Sequence, residues 1–300
     1  MSQNSWNIKS ILDVSADYLD KKGIETPRLC AEVLLAYLLD ASRVSLYLHF
    51  DQPLNEQEIA GYRSLIKRRV NREPTQYITG IQEFWSLDFK VGPSVLIPRA
   101  DSEILIEQAV SLSKQGQLNK SGALQLLDLG TGCGALAISL AREFEMSRVW
   151  ASDISGEALR VAQINAQKHG VADRIEFKLG DMWEPFMKHD IQFDMIVTNP
   201  PYIASEAIAS LPREVREHEP LQALDGFKGG MFYIERIIRE GIGHLKPGGW
   251  LLMEMDPHQN GKALRQIEKT MGYINAKGIR DYSRQYRVVI VQKENQTVQE

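Results

Sequence analysis

The chain has 300 residues, of which 43% are hydrophobic and 25% are charged, and its net charge is -4 at neutral pH. This length predicts two domains, and the negative charge disfavours a protein that grips long nucleic acid through its phosphates. The sequence has no apolar run of the roughly 18 residues that a membrane span needs, and its first residues lack the basic and apolar regions of a secretory signal. We therefore expect a cytoplasmic protein.

Cysteines and basic residues bear on cofactors and partners. Cys30 and Cys133 lie far apart and form no CxxC motif, so we expect neither a zinc site nor a disulfide framework. The densest basic cluster lies within residues 67–72. It could form a local nucleic-acid patch, but a solvated helix face is the favoured interpretation. We expect a monomer that makes no stable contact with nucleic acid or membrane.

Apolar residues recur at helical spacing throughout residues 1–72. The second helix is predicted to begin with Thr26 as its N-cap and Pro27 as its first residue. Asn55 and Glu58 have the spacing of a capping box at the start of the fourth. The predicted helices cover residues 5–22, 26–38, 42–48 and 55–70. We interpret this region as a small all-α domain without catalytic residues.

Glycines and prolines divide residues 73–98 into short apolar pieces. Within them, Leu87, Phe89 and Val91 alternate with polar residues, as in a half-buried strand. This region is predicted to be a linker that contains a β-hairpin. After it, Asp101 or Ser102 is expected to cap a helix that runs to about Leu112. The neighbouring Arg99, Asp101 and Glu103 could form a salt-bridged cap or face a ligand.

Strand-like and helix-like segments alternate from Leu124 to the end of the chain. This alternation predicts an α/β domain over residues 99–300, with a Rossmann-like, mainly parallel sheet of seven strands and helices on both faces. The predicted strands are 125–129, 149–153, 174–179, 194–198, 249–254, 274–279 and 287–292. The predicted helices are 135–144, 156–168, 231–245 and 261–271.

A buried strand ending near Asp128 enters a glycine-rich turn that is followed by a helix. This order favours a nucleotide-type ligand, and Asp153 follows at the end of the next strand, where a carboxylate can accept from ribose hydroxyls. Asp181 ends the third strand, where an adenine amino group would lie. An acid before the loop suits a cationic amino-acid tail rather than a pyrophosphate, so S-adenosylmethionine is favoured over NAD. The predicted cofactor residues are Asp128, Gly130, Thr131, Gly132, Cys133, Gly134, Asp153, Ile154, Asp181, Met182 and Asn199.

The fourth strand ends in Asn199-Pro200-Pro201-Tyr202. Consecutive prolines fix the backbone here, so the Asn199 amide oxygen and the Pro200 carbonyl become two acceptors on one stiff support. Two acceptors suit a planar amino group, and the Tyr202 ring could flank its plane. We predict Asn199, Pro200 and Tyr202 as catalytic and the whole tetrapeptide as substrate-binding. Without its context, the motif could equally be an ordinary strand end.

These motifs together resemble the class I S-adenosylmethionine-dependent methyltransferases of the HemK/PrmC type, the release factor glutamine methyltransferases. The resemblance covers nearly the whole chain. It implies methyl transfer to the side-chain amide nitrogen (N5) of the glutamine in the GGQ motif of peptide chain release factors, with the helical domain as the docking domain. The motifs that carry it are Pro27-Arg28-Leu29 with Ala31-Glu32, Arg72-Glu73-Pro74 with Gln76-Tyr77-Ile78-Thr79-Gly80, Phe84-Trp85, Leu96-Ile97-Pro98-Arg99 with Asp101-Ser102-Glu103, the glycine-rich turn, the Asn199 tetrapeptide, and Glu219-Pro220 with Ala223-Leu224.

The sequence departs from the family pattern at a few positions. Cys30 stands where an acid is common, and Asp256 stands at a usual glycine position. Phe227 and Gly229 replace the glycine and the acid of a turn, which leaves the geometry of residues 225–232 open. No strong general base is evident: His218 could serve as one, but a structural role in its loop is favoured.

Other functions are compatible with parts of this pattern. An adenine or guanine amino-group methyltransferase would also bind a planar amino group, although its base would have to be flipped out or single-stranded. A glutamine methyltransferase of a ribosomal protein differs from the favoured function only through the family resemblance. A non-catalytic adenosine-binding scaffold is disfavoured because the acidic, glycine and Asn199 positions are all present.

Overall fold

The computed structural model describes residues 6–118, 122–187 and 191–295. It divides into two compact units. Of these described residues, the first unit comprises those up to Ile81 together with Pro212–His218, and the second comprises those within Gln82–Leu211 and from Glu219 onward. The region predicted as a linker is therefore divided between the units, and a short later segment joins the first one. In the described ranges, no helix is long and apolar enough to cross a membrane.

The first unit is helical, as predicted. Its helices are α1 (Ile8–Lys21), α2 (Pro27–Leu38), α3 (Arg43–Leu48), α4 (Glu56–Val70), α5 (Thr75–Thr79) and the later Arg213–His218, which is α9 in chain order. Leu12, Leu34 and Leu35 are fully buried in its core. The buried Tyr62 hydroxyl donates to the Ala31 carbonyl at 3.0 Å, which joins α4 to α2.

The predicted starts of α2 and α4 are confirmed in position, but one capping mechanism is wrong. The first predicted helix was expected from residue 5, which lies outside the described residues, and α1 begins at Ile8. Asn55 and Glu58 form the predicted capping box. Pro27 is the first residue of α2, but Thr26 adopts a left-handed backbone with φ 48° and its side chain caps nothing. A capping side chain reaches the free N–H groups from an extended backbone, so this conformation turns the hydroxyl away from them.

Three of the four basic residues in 67–72, Arg68, Arg69 and Arg72, form ion pairs. Arg69 is only 5% exposed, and its guanidinium donates to Glu214 of α9 at 2.8 Å. Arg72 also donates to Glu214, at 3.2 Å, and Arg68 binds Glu73. The charges of this cluster are thus used to hold α9 and the start of α5 on α4.

The second unit begins with the predicted hairpin, β1 (Ile81–Phe84) and β2 (Leu87–Lys90). Next comes α6 (Glu103–Lys114), which a short turn of 3₁₀-helix precedes. Ser102 occupies the N-cap position of α6, but its side chain makes no capping bond. Its hydroxyl donates instead to a distant carboxylate, that of Glu254. The predicted cap position is therefore confirmed, but the predicted capping bond is wrong.

A seven-stranded sheet forms the centre of the second unit, which confirms the predicted fold class. Five neighbouring strands are parallel, while β9 is antiparallel to both β7 and β8. The strands are β3 (Leu124–Leu129), β4 (Ser147–Asp153), β5 (Ile175–Leu179), β6 (Phe193–Thr198), β7 (Leu245–Glu254), β8 (Tyr273–Arg280) and β9 (Tyr286–Lys293). The helices around them are α6, α7 (Ala135–Glu143), α8 (Gly156–Lys168), α10 (Phe232–His244) and α11 (Asn260–Lys269).

The strand order is β5-β4-β3-β6-β7-β9-β8. The chain builds outward from β3 in one direction and then returns to place β6 on the other side of β3. This reversal creates a crevice at the carboxyl ends of β3 and β6, where open α/β sheets bind their ligands.

The turn after residue 224 packs directly on the tetrapeptide backbone. Gly230 has φ +68°, and a Cβ there would lie 2.0 Å from the Tyr202 carbonyl oxygen. Gln259 donates to the carbonyls of Tyr202 (2.8 Å) and Gly230 (3.1 Å), which fastens the two segments together. Asp256, the departure at a usual glycine position, caps the short turn of helix that carries Gln259.

Phe227, which also departs from the family pattern, stores backbone strain in this turn. It has φ 60° and ψ -156°, a region that only glycine occupies readily. Its exposed ring contacts the rings of Phe232 and Tyr233, at centroid distances of 5.0 and 5.9 Å.

Phe227→Gly should be more stable than Phe227→Ala by about 1 kcal/mol. Both variants lose the aromatic contacts, so their difference is the backbone strain that glycine relieves, less the greater chain entropy of glycine in the unfolded state. Urea denaturation of the two variants measures this difference. An alanine variant as stable as the glycine variant would contradict the assigned strain.

Candidate active site

A cleft opens at the carboxyl ends of the central strands of the second unit. Its walls come from the loops after β3, β4, β5 and β6, from residues 94–96 and 220–223, and from α10. The predicted site residues that line it are Gly130, Gly132, Asp153, Ile154, Asp181, Met182, Asn199, Pro200 and Pro201. The structure therefore brings the glycine-rich turn and the tetrapeptide to one cavity.

Other predicted cofactor residues lie behind the cleft wall. Thr131 and Cys133 are buried, and burial raises the pKa of the Cys133 thiol to about 12. Gly134 starts α7 with φ +86°, and a Cβ there would lie 3.1 Å from Ala162 Cβ of α8. These residues shape the turn and allow the two helices to approach closely.

Asp128 is fully buried, and only one of its two carboxylate oxygens accepts hydrogen bonds. Its Oδ2 accepts from the Thr131 hydroxyl at 2.6 Å and from the Ala137 N–H at 3.0 Å. Its Oδ1 has no hydrogen-bond partner in the described part of the chain. Burial raises the pKa of this carboxyl to about 7, against the opposing effect of the two donors. A buried carboxylate with a free oxygen is suited to a cationic ligand group.

Asp153 fastens the glycine-rich turn to the end of β4. Its Oδ2 accepts from the Gly132 N–H and its Oδ1 from the Ser155 N–H, each at 2.8 Å. Burial raises its pKa, while these backbone donors oppose the shift. Each carboxylate oxygen can accept a second hydrogen bond, so the side chain keeps acceptor capacity for ligand hydroxyls.

Asp181 is partly exposed at the cleft and pairs with Arg236 of α10 at 2.8 Å. Arg236 is a residue of the site that the sequence did not predict. The spacing of α10 gives no signal for it, because the pairing joins residues 55 positions apart.

Asn199 is held by a hydrogen-bonded chain that the sequence analysis also missed. Its Nδ2 donates to Ser102 Oγ at 3.0 Å, and that hydroxyl donates to Glu254 Oε2 at 2.5 Å. Tyr202 donates to Glu254 Oε1 at 2.9 Å. Tyr202 is half-buried and does not line the cleft, so its predicted place beside a substrate amide stays a prediction. The available signal was Glu254 itself, an acid that ends the apolar run Leu251-Leu252-Met253.

The three charged residues within 99–103 do not pair with one another, and each binds a different partner. Arg99 binds the buried Glu219 at 2.5 Å, Asp101 binds Arg287 at 3.2 Å, and Glu103 accepts from the Trp85 N–H at 2.8 Å. Glu219 also accepts from the Ile97 N–H, at 3.2 Å. It therefore joins the two segments that supply residues 94–96 and 220–223 to the cleft.

The remaining candidates lie in the first unit. His218 is in the first unit, with Nε2 3.3 Å from the Asn71 carbonyl oxygen. Cys30 is buried in the same unit, with Sγ 3.5 Å from the Glu25 carbonyl oxygen. Both contacts lie within the first unit, and neither residue is among those that line the cleft.

Family models match both parts of the chain. One described as the PrmC N-terminal domain matches residues 10–80, and one described as a methyltransferase domain matches residues 120–295. The first match coincides with the helical unit, and the second covers the sheet and the residues from the glycine-rich turn to β9.

Curated relatives match over most of their length. A release factor glutamine methyltransferase of Geobacter sulfurreducens is 42% identical over 265 residues, which are 88% of this chain and 89% of the relative. A protein of the same name from Rhodopirellula baltica is 34% identical over 288 residues, which are 96% of this chain and 97% of the relative. Among solved structures, the hMettl16 catalytic domain in complex with MAT2A 3'UTR hairpin 6 has a TM-score of 0.56 at 15% identity, over 78% of this chain and 83% of that one. At that identity the likeness concerns the fold alone.

Asp128→Asn should stabilise the ligand-free protein, and more at roughly pH 8 than at roughly pH 5. In the folded protein the pKa of Asp128, about 7, lies above its ordinary value of 3.8. Unfolding therefore releases a proton between these values, and the cost of the buried charge grows as the pH rises through this window. Asparagine does not ionise, so it avoids that cost. Thermal midpoints of the two proteins across this range measure the effect.

Asp194→Asn is the matched control. Asp194 is also buried, but it accepts from Lys246 Nζ and from the Gln125 N–H, each at 2.7 Å. Its substitution should lower the midpoint at both pH values, since the Lys246 charge loses its partner. An Asp128→Asn protein less stable than the parent at pH 8 would contradict the unpaired buried charge.

Proposed function

We propose, since this chain belongs to the family of release factor glutamine methyltransferases, that it transfers a methyl group from S-adenosylmethionine to the side-chain amide nitrogen (N5) of a glutamine in a peptide chain release factor. The glutamine is that of the GGQ motif. The observation that carries this proposal is the shared cleft, which Asn199 and Pro200 line together with the glycine-rich turn. A release factor substrate would place the protein in the cytoplasm, and the enzyme would act as a monomer.

The residues around the glycine-rich turn fit this methyl donor. Asp128 offers a buried acceptor without a partner in the described part of the chain, which suits the ammonium group of the amino-acid tail. Asp153 would accept from the ribose hydroxyls, and Asp181 with Met182 would border the adenine. Gly130, Gly132 and Ile154 line the cleft with Asp153, Asp181 and Met182, whereas Asp128 lies outside its lining. When bound, S-adenosylmethionine supplies a methyl group on a sulfonium whose C–S bond breaks as the new N–C bond forms.

Asn199 and Pro200 would hold the glutamine amide. A primary amide nitrogen is a weak nucleophile, because its lone pair is delocalised into the carbonyl. The Asn199 Oδ1 and the Pro200 carbonyl would each accept one of its N–H bonds, with Pro201 completing the wall of the cleft. These acceptors fix the nitrogen in one orientation and stabilise the positive charge that develops on it.

Alignment would be the main contribution of these residues to the rate. Holding two reacting groups in line can contribute about 7–11 kcal/mol. The proton that the nitrogen loses passes to water after transfer, because no side chain of ordinary basic strength is assigned to this position. Tyr202 would contribute through its ring beside the amide and through its bond to Glu254.

The helical unit would dock the release factor. Large apolar side chains are exposed on its first three helices, namely Val14, Tyr18, Leu29, Tyr37, Val44, Tyr47 and Leu48. Two of them, Val14 and Tyr18, line a groove that also includes Trp6, Arg63 and Lys67. Exposed aromatic and basic side chains around an apolar groove are typical of protein-binding surfaces.

Asn199→Ala should abolish methylation of the release factor while leaving the affinity for S-adenosylmethionine within about twofold, because the variant loses one acceptor for the amide but keeps Asp128, Asp153 and the other predicted cofactor residues. Mass spectrometry of unmethylated release factor after incubation measures the added methyl group.

A release factor with glutamate in place of the GGQ glutamine is the substrate control. It lacks the amide nitrogen and should gain no methyl group from the parent enzyme. Full methylation by the Asn199→Ala protein would refute the assigned role of Asn199. Methylation of the control release factor would refute the glutamine as acceptor.

Tyr18→Ser should raise the KM for the release factor about tenfold, as expected for an aromatic contact at a binding surface, with kcat and cofactor affinity unchanged. Tyr282→Ser is the matched control, since Tyr282 is a tyrosine of the second unit that is 84% exposed. Steady-state kinetics with the release factor as varied substrate compares the two. Equal KM values for both variants would exclude the α1 groove as the docking surface.

A further inference from the structure

We propose that Ser102 and Glu254 are positioning residues that fix which way the Asn199 amide faces. The inference rests on the proposed function, in which the oxygen of that amide accepts from the substrate. Asn199 Nδ2 donates to Ser102 Oγ, and the Ser102 hydroxyl donates to Glu254. The oxygen of Asn199 is thereby left for the cleft.

The fold places these residues side by side. Strands β6 and β7 are parallel, and Thr198 is paired with Met253. The next position along each strand is Asn199 on one and Glu254 on the other. Ser102 reaches them from the start of α6, and it is 4% exposed. Water therefore has little access to the bonds that orient Asn199.

The single hydroxyl proton of Ser102 determines which group donates in each hydrogen bond between Asn199, Ser102 and Glu254. An ionised carboxylate only accepts hydrogen bonds, so the single hydroxyl proton of Ser102 must point to Glu254. The Ser102 oxygen then has only acceptor positions left toward Asn199, which must turn its NH₂ group to it. The alternative orientation would bring the Asn199 oxygen against the Ser102 oxygen with no proton between them.

Protonation of Glu254 would reverse this order. A neutral Glu254 can donate its proton to Ser102, which frees the serine proton for the Asn199 oxygen. Asn199 would then present its NH₂ group to the cleft, where it faces the NH₂ group of the glutamine. Two donors cannot bond to each other, so the enzyme would lose an acceptor that it needs.

The groups facing Glu254 come from several elements. Ser102 and Asp101 precede α6, Tyr202 follows β6, and Arg287 lies on β9. Burial raises the pKa of Glu254, whereas the donors Ser102 and Tyr202 and the charge of Arg287 oppose the shift. Arg287 also pairs with Asp101 and with Asp281, at 3.2 and 3.3 Å. Loss of a donor to Glu254 therefore favours its protonated form.

The test uses Ser102→Ala and its conservative partner Ser102→Thr, which keeps the hydroxyl. At saturating release factor and cofactor, Ser102→Ala should lower kcat by about 10- to 100-fold, as expected for a misoriented acceptor. Cofactor affinity should stay within twofold, and Ser102→Thr should restore most of kcat. Saturation with cofactor keeps the titration of Asp128 out of the measurement.

The pH profile of kcat separates positioning from a merely structural effect. The parent and Ser102→Thr should lose activity as falling pH protonates Glu254, and this fall is the acid limb of the profile. Ser102→Ala should lack the acid limb. Tyr202→Phe should shift the limb to higher pH, because the carboxylate loses one donor. If Ser102→Ala does not fold, as judged by cofactor binding, Tyr202→Phe decides the matter, and an unshifted limb overturns the proposal.

Two further results would overturn it. One is a Ser102→Ala protein with the kcat of the parent, and the other is a slow Ser102→Ala protein that keeps the parent's acid limb. A parent that methylates no release factor would refute the proposed function, and this inference falls with it. A parent that is active while Ser102→Ala is unaffected would refute the positioning role alone.

Discussion

Carboxylates with little access to water determine the shape of the cleft. A carboxylate removed from water must find donors, and in this protein the donors belong to the loops that form the cleft walls. Asp153 accepts a hydrogen bond from a backbone N–H of the glycine-rich turn, and Glu219 accepts one from the Ile97 N–H in the cleft wall. Glu254 accepts from the Ser102 hydroxyl, which holds Asn199. The need to satisfy each acid therefore fixes the position of a loop.

The sheet was predictable from the sequence because its signals are local. The alternation of strand-like and helix-like segments predicted all seven strands, and the order of strand, glycine-rich turn and helix predicted the cleft. Predictions failed where a side chain had a choice of partners. Ser102 looked like a helix cap, but its hydroxyl binds Glu254, 152 positions away. Local spacing contains no information on such a distant acceptor.

The limits of the helical unit show the same difficulty. Residues 212–218 lie between β6 and β7 in sequence, yet they belong to the first unit, where Glu214 pairs with Arg69 and Arg72. A pairing between Glu214 and arginines more than 140 positions away carries no periodic signal. The basic cluster predicted a solvated helix face, whereas the fold buries Arg69 and pairs it with Glu214.

The unpaired oxygen of Asp128 links ligand binding to proton exchange with the buffer. With a pKa of about 7, this carboxyl is partly protonated in neutral solution. A cation that binds beside it favours the ionised form, so binding near pH 7 expels up to about half a proton for each ligand bound. The heat measured by calorimetry then contains the ionisation enthalpy of the buffer, and it will differ between phosphate and Tris although the contacts are the same.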